Sequence, residues 1–156
     1  MPHINDLIDF TIGAFIVHDE KVLLINHLQL KRWLCVGGHI ELNEDPIQAL
    51  FREIEEESGI KAEDLTVLSS KSSVELPDSK PLFTPNFLDI HGITDTHKHI
   101  GMVYFMTSKI DQIKLAEKEH SGIRWFSEED LENPEFAIRE DVKFYCKEAL
   151  KTSSNT

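Results

Sequence analysis

Between Gly37 and Ile60 the chain reads GGHIELNEDPIQALFREIEEESGI, and carboxylates crowd this stretch: Glu41, Glu44, Asp45, Glu53, Glu55, Glu56 and Glu57. Like charges three and four residues apart on a helix repel. Such a cluster calls for an opposing charge, and hard cations such as Mg²⁺ take oxygen ligands, often one or two carboxylates together with substrate phosphates. The bland reading is a solvated acidic face, the usual fate of a charge run. Helix geometry alone leaves both readings open.

The local signals place these carboxylates on a helix. Asp45 is a good N-cap, Pro46 suits the first helical position, Gln48 sits where a capping box wants Glu or Gln, and Gly59 suits a helix stop. The expected helix spans 46–58. On a wheel of about 100° per residue, Glu53, Glu56 and Glu57 share one face, with the small Ala49 between them. Ile47, Leu50, Phe51 and Ile54 form the adjoining apolar face, and Glu55 points away.

The rest of the chain must position that helix. TIGAFIVHDEKVLLINH reads as a hairpin turning at His18 to Glu20. RWLCV, DLTVLSS, FLDIHGI, HIGMVYFMTSKI and GIRWFS read as further strands, and SEEDLENP as a helical turn. KSSVELPDSKPLFTPN, with Pro77, Pro81 and Pro85, reads as a long loop or edge segment. A final helix is expected over 137–151, with Ile138, Val142, Tyr145 and Leu150 near one face, and KTSSNT as a loose tail. Strands mixed with two substantial helices point to an α/β or α+β sandwich. The expected organisation is one domain over residues 1–150 and a flexible tail over 151–156.

Composition narrows the partners. Of 156 residues, 40% are hydrophobic, a globular balance. Sixteen basic against 28 acidic residues leave a net charge of -12, which disfavours nucleic acid and would repel a phosphorylated substrate unless a cation or local basic patch intervenes. No apolar run is long enough for a bilayer, so no membrane partner is expected. MPHINDLIDF lacks the basic and apolar regions of a signal peptide, and Cys35 and Cys146 form no disulfide framework. A reducing cytoplasm is therefore the expected location.

The spacing is more specific than the wheel. Gly38, five residues, Glu44, seven residues and then REIEEESGI from Arg52 to Ile60 resembles the Nudix box, with each fixed position filled. The GGHIE lead-in and the later IRWFSEEDL are also similar to this family. The resemblance implies a mixed β-sheet between α-helices, and a hydrolase that cleaves a diphosphate linkage in a nucleoside diphosphate joined to another group, or in a nucleoside triphosphate. It implies Mg²⁺ or Mn²⁺ as cofactor, with Glu53, Glu56 and Glu57 as ligands and Glu41 as a further one. Water activation falls to one of these or to a carboxylate from elsewhere; Glu119, six residues before Trp125, resembles a downstream acid used as ligand or base. Arg52 would orient Glu53 or its neighbours, Glu44 would support the loop or a metal-bound water, and Gly38, counted with the substrate-binding residues, would let the loop backbone pass closely. Family members are often homodimers. One departure is Val36, where the family commonly has proline before the two glycines.

Substrate choice is less legible. Pro77 keeps ADP-ribose open, sugar nucleotides and nucleoside triphosphates are equally open, and there is no coenzyme A signature. RNA 5′-end processing is disfavoured by the acidic balance. A binding or sensing module that kept the fold but lost catalysis is the alternative; broken box carboxylates are its expected mark, and none is broken. DIHGITDTHKHIGMVYF adds His91, His97 and His99. His97 and His99 share a strand face and are read either as contacts to substrate phosphate, or as a second metal site, or as an ordinary polar strand end. His39 is read as structural. Phe83, Phe87, Tyr104, Trp33 and Trp125 are read as core before base-stacking.

Overall fold

A computed structural model describes residues 3–156. The first hairpin forms where the apolar alternation places it: β1 (Ile8–His18) and β2 (Lys21–His27) are joined by Asp19 and Glu20, both with positive φ, 45° and 60°. That tight connection matches the twist of the flanking strands. β3 (Arg32–Leu34) and β4 (Val36–His39) follow, then α1 (Pro46–Ser58), β5 (Leu65–Val67), β6 (Phe87–Gly92), β7 (Lys98–Ser108), β8 (His120–Phe126), α2 (Glu128–Glu132) and α3 (Glu140–Ser154).

The eight strands form one mixed sheet ordered β3-β2-β1-β7-β5, with β4 paired to β1, β6 to β7 and β8 to β2. The spine is the parallel pair of β1 and β7, in register from Ile8 with Lys98 to Val17 with Thr107; the other pairings are antiparallel. Alternation then divides the core. Ile12, Ala14, Ile16, Leu23, Ile25, Tyr104 and Met106 face Ala49, Leu50 and Ile54 of α1. Phe15, Val17, Val22, Leu24, Phe105 and Phe126 face Leu131 of α2 and Val142, Cys146 and Ala149 of α3. The expected mixed sheet between helices is the observed fold.

The last helix differs from its sequence reading at both ends. It begins at Glu140, because a 3₁₀ turn over Pro134–Phe136 ends at Ala137 with φ 49°. It ends at Ser154, so residues 151–154 of the expected loose tail are helical. Ser153 and Ser154 donate their hydroxyls to the carbonyls of Leu150 and Lys151, at 2.9 Å each. Lys151 sits in the last turn, where the helix dipole favours a cation. The proline-rich segment before β6 carries only an isolated bridge, Leu76 with Ser79. The aromatic residues read as core pack as such: Tyr104 is buried, and Trp33 lies edge-on to Phe126 with ring centroids 4.9 Å apart.

Candidate active site

The first turn of α1 is built as the local signals require. Asp45 accepts hydrogen bonds from the backbone N–H groups of Ile47 and Gln48, at 2.8 and 2.9 Å, while the Gln48 side chain accepts from the N–H of Asp45. Gly59, at φ 74°, closes the helix through its N–H to Glu55 O. Between these ends, α1 lies across β4 and β1 and turns its carboxylates toward the glycine pair Gly37–Gly38.

One guanidinium holds the acidic cluster together. Arg52 donates to both carboxylate oxygens of Glu44, at 2.6 and 3.0 Å, to Glu53 at 2.9 Å, to Glu56 at 3.2 Å and to the carbonyl of His39 at 3.0 Å. Glu44 in turn accepts from the N–H of Glu41. The planar fork of arginine suits this, since it presents five donors at once. Arg52 thus offsets part of the repulsion, but not all of it. Glu53 and Glu57 are 4% and 3% exposed, whereas Glu56 is open to solvent. Burial pushes Glu53 up to about 7 against the pull of Arg52, with Glu57 and Glu56 adding to the rise. Burial also raises Glu57, opposed by His120 and by the N–H of Gly37, which donates to Glu57 at 2.9 Å.

Arg52, Glu53, Glu56, Glu41 and Glu119 line one cleft of about 670 Å³, together with Leu42, Asn43, Ile4 and His39. Glu57 lies beside it, its carboxylate in contact with Nε2 of His120. The ligand atoms of Glu57, Glu119 and His120 lie within 4.8 Å of one another. Of the residues singled out from sequence, these carboxylates and Arg52 are brought together. Gly38 faces the Glu53 carboxylate: a Cβ there would sit 2.3 Å from Oε1. Its openness makes room for the Glu53 side chain.

His97 and His99 are not brought to the cleft. Gly38 pairs with Ile12 on the α1 face of the sheet, so Thr11 and Asp9 look the other way, and His99 pairs with Asp9. Neither histidine is among the residues that line the cleft, although His39, which does line it, lies against His99 with ring centroids 4.8 Å apart. His120 was missed from sequence. Nothing in its spacing marks it; only the pairing of β8 with β2, with its bulge next to His27, brings it to Glu57.

Fold and site together define a carboxylate-rich cleft of the kind expected from the box residues, on a mixed sheet between helices. The NUDIX domain model matches residues 9–147, and the chain belongs to that family. A NUDIX-family hydrolase from Clostridium perfringens is 34% identical, with 95% of this chain and 98% of that chain covered and a TM-score of 0.81. A CTP pyrophosphohydrolase of Escherichia coli is 30% identical over 67% of this chain and 81% of its own. A probable DHNTP pyrophosphohydrolase of Lactococcus lactis is 27% identical over 73% of this chain, and the match spans 63% of that relative's length. The expectation of a Nudix hydrolase of the pyrophosphohydrolase class is borne out at the level of family and class.

Proposed function

We propose that the protein is a Mg²⁺- or Mn²⁺-dependent pyrophosphohydrolase that cleaves a diphosphate linkage in a small nucleotide, either a nucleoside diphosphate joined to another group or a nucleoside triphosphate. The observation that carries this reading is the convergence of Glu53, Glu56 and Arg52 with Glu41 and Glu119 around one cleft, with Glu57 alongside. The donor set fits a hard divalent cation: every candidate ligand is a carboxylate, and two of them are buried with raised pKa values that a cation would bring down. Glu53, Glu56 and Glu57 would hold it, with Glu41 as a further ligand. When bound, such an ion supplies Lewis acidity toward phosphoryl oxygens and acidifies water.

The chain's own residues set the rest. Arg52 fixes the rotamers of Glu44, Glu53 and Glu56 through its fork. His120 and the Gly37 N–H fix Glu57 from behind. Glu119, which lines the cleft with its side chain 62% exposed, would serve as the base that takes a proton from the attacking water. The cytoplasmic location and homodimeric assembly belong to the same proposal. Among the described residues, no helix is long and apolar enough to cross a membrane.

The test is a panel of nucleoside triphosphates, oxidised nucleotides, ADP-ribose, sugar nucleotides and dinucleoside polyphosphates, offered with Mg²⁺ or Mn²⁺. Released phosphate, pyrophosphate and monophosphates are read out beside Glu56→Gln and Glu57→Gln. Strong hydrolysis of one class, reduced on the order of 100-fold in a variant that stays folded, supports the assignment. Absence of hydrolysis across the panel, with a nucleotide still raising Tm, would overturn it in favour of a binding or sensing module.

A further inference from the structure

On the sheet face opposite α1, beyond the end covered by α3, lies a second cluster that the hydrolase reading does not use. Asp9 is fully buried. Its Oδ1 accepts from the backbone N–H and the side-chain amide of Asn5, at 2.7 and 3.2 Å, and its Oδ2 accepts from the N–H of Ile4 at 3.1 Å. Three imidazoles also approach Oδ2: Nε2 of His39 at 3.1 Å, Nε2 of His97 at 3.3 Å and Nδ1 of His3 at 3.4 Å. His99, paired with Asp9 across β1 and β7, adds a fourth ring, its centroid 5.3 Å from that of His97.

The decisive detail is the tautomer of His97. Its Nδ1 lies 3.1 Å from the carbonyl oxygen of Asp6, which can only accept, so Nδ1 carries the proton. Nε2, the other ring nitrogen, faces the Asp9 carboxylate. The side chain is 4% exposed and Nε2 makes no hydrogen bond. A positive charge shared between this nitrogen and the carboxylate, whether a proton or a metal ion, would satisfy both at 3.3 Å. Nε2 of His99 is likewise buried without a hydrogen-bond partner. A histidine that donates one ring N–H to a backbone carbonyl and aims the other nitrogen inward has the arrangement usual for metal-ligating imidazoles.

We propose that His3, Asp9, His97 and His99 form a Zn²⁺ site, distinct from the carboxylate cleft, that clamps the N-terminal segment onto the sheet. Their ligand atoms all lie within 4.8 Å of one another. Tetrahedral coordination at about 2.0–2.1 Å needs only a modest contraction of that set. Imidazoles with one carboxylate suit Zn²⁺ and discriminate against Mg²⁺, which prefers oxygen ligands. Four protein ligands leave no open position, which makes the site structural. The clamp joins residues 3–7, already tied down through Asp9 and through the bond from Lys98 N–H to Leu7 O, to the start of β7. His3, 42% exposed, is the member of the set most open to solvent.

The test is zinc content and zinc affinity of the full chain, purified from zinc-supplemented culture, desalted and titrated against a chromophoric chelator. With Mg²⁺ in excess to occupy the carboxylate cleft, one tightly held equivalent is expected in the native protein, with affinity reduced at least about tenfold in His97→Ala and in His99→Ala. Chelation should lower Tm of the native protein but not of the His variants. Should His97→Ala fail to fold, His99→Ala, at a partly exposed position, and the visible bands of tetrahedral Co²⁺ in the native protein carry the test. No retained zinc, or zinc lost on changing Glu56 or Glu57 but kept in both His variants, overturns the site. Neither result bears on the hydrolase panel, which needs only Mg²⁺ or Mn²⁺.

Discussion

The carboxylate of Glu53 occupies the space that any side chain at position 38 would need, since a Cβ built on Gly38 would meet its Oε1 at 2.3 Å and its Cδ at 2.5 Å. Gly37, one residue earlier, is confined by backbone instead: a Cβ there would meet the carbonyl oxygen of Ile12 at 2.2 Å. The two neighbours therefore predict different failures. Gly38→Ala pushes aside the end of a side chain, so turnover should fall roughly 100-fold, as expected for misplacement by about an ångström, while Tm changes little. Gly37→Ala must move a strand and should lower Tm by several degrees. Paired melting curves and kinetics distinguish them; equal loss of stability in both would contradict the assignment.

Arg52 is the only cation bonded to Glu44, Glu53 and Glu56 among the described residues. Arg52→Lys keeps the charge but not the fork. The expected loss is about 1–3 kcal/mol in urea unfolding, the range for hydrogen bonds to charged groups. Saturating Mg²⁺ should narrow that deficit, because it supplies the missing positive charge beside the same carboxylates. A deficit indifferent to Mg²⁺ would separate the arginine from the cation site.

The raised pKa of Glu53, about 7 against an ordinary 4.5, gives metal binding a pH signature. The folded state holds this proton more tightly than the unfolded state does. Without a cation, stability contributed by the group is present below about pH 4.5 and is lost as pH rises through about 7. Mg²⁺ competes with that proton, and Glu57, also raised, acts in the same sense. The Mg²⁺-induced rise in Tm should thus be small near pH 5 and grow through pH 8. A shift that is flat with pH across this window would remove Glu53 from the ligand set.

At the other end of α1, Asp45 caps two N–H groups and also accepts from Nζ of Lys80 at 2.9 Å. Asp45→Ala should cost about 1 kcal/mol, or roughly 2–4 °C in Tm, mostly through the cap. Lys80→Ala, which removes an exposed pair only, should change Tm by much less. Comparable losses from the two would mean that the loop contact, not the cap, anchors this end of the helix.

Much of the candidate site was legible because its signals are local. Cap, proline, apolar spacing and glycine stop fall within one helix, and α1 runs over the residues they indicate. The shared face of Glu53, Glu56 and Glu57 follows from helical pitch alone. The expected loose tail went astray for the same reason: KTSSNT is polar along its length, and its helical state depends on α3 docking Cys146 and Ala149 against Phe15 and Phe105, partners more than forty residues away.

By itself, the sequence determined the carboxylate helix, the hairpin, the family and the alternation that divides each strand between two faces. Which face is which, and what waits there, only the tertiary structure decided. Parity is a property of one strand, whereas facing depends on the antiparallel register of β1 with β4 and on the parallel register of β1 with β7, the latter bringing together segments some ninety residues apart. Those pairings send Gly38 toward Glu53 and His99 toward Asp9, and they add His120 to Glu57 through β2 and β8. Long-range strand pairing carries no local sequence mark, because the ladder bonds are made by backbone that every residue shares.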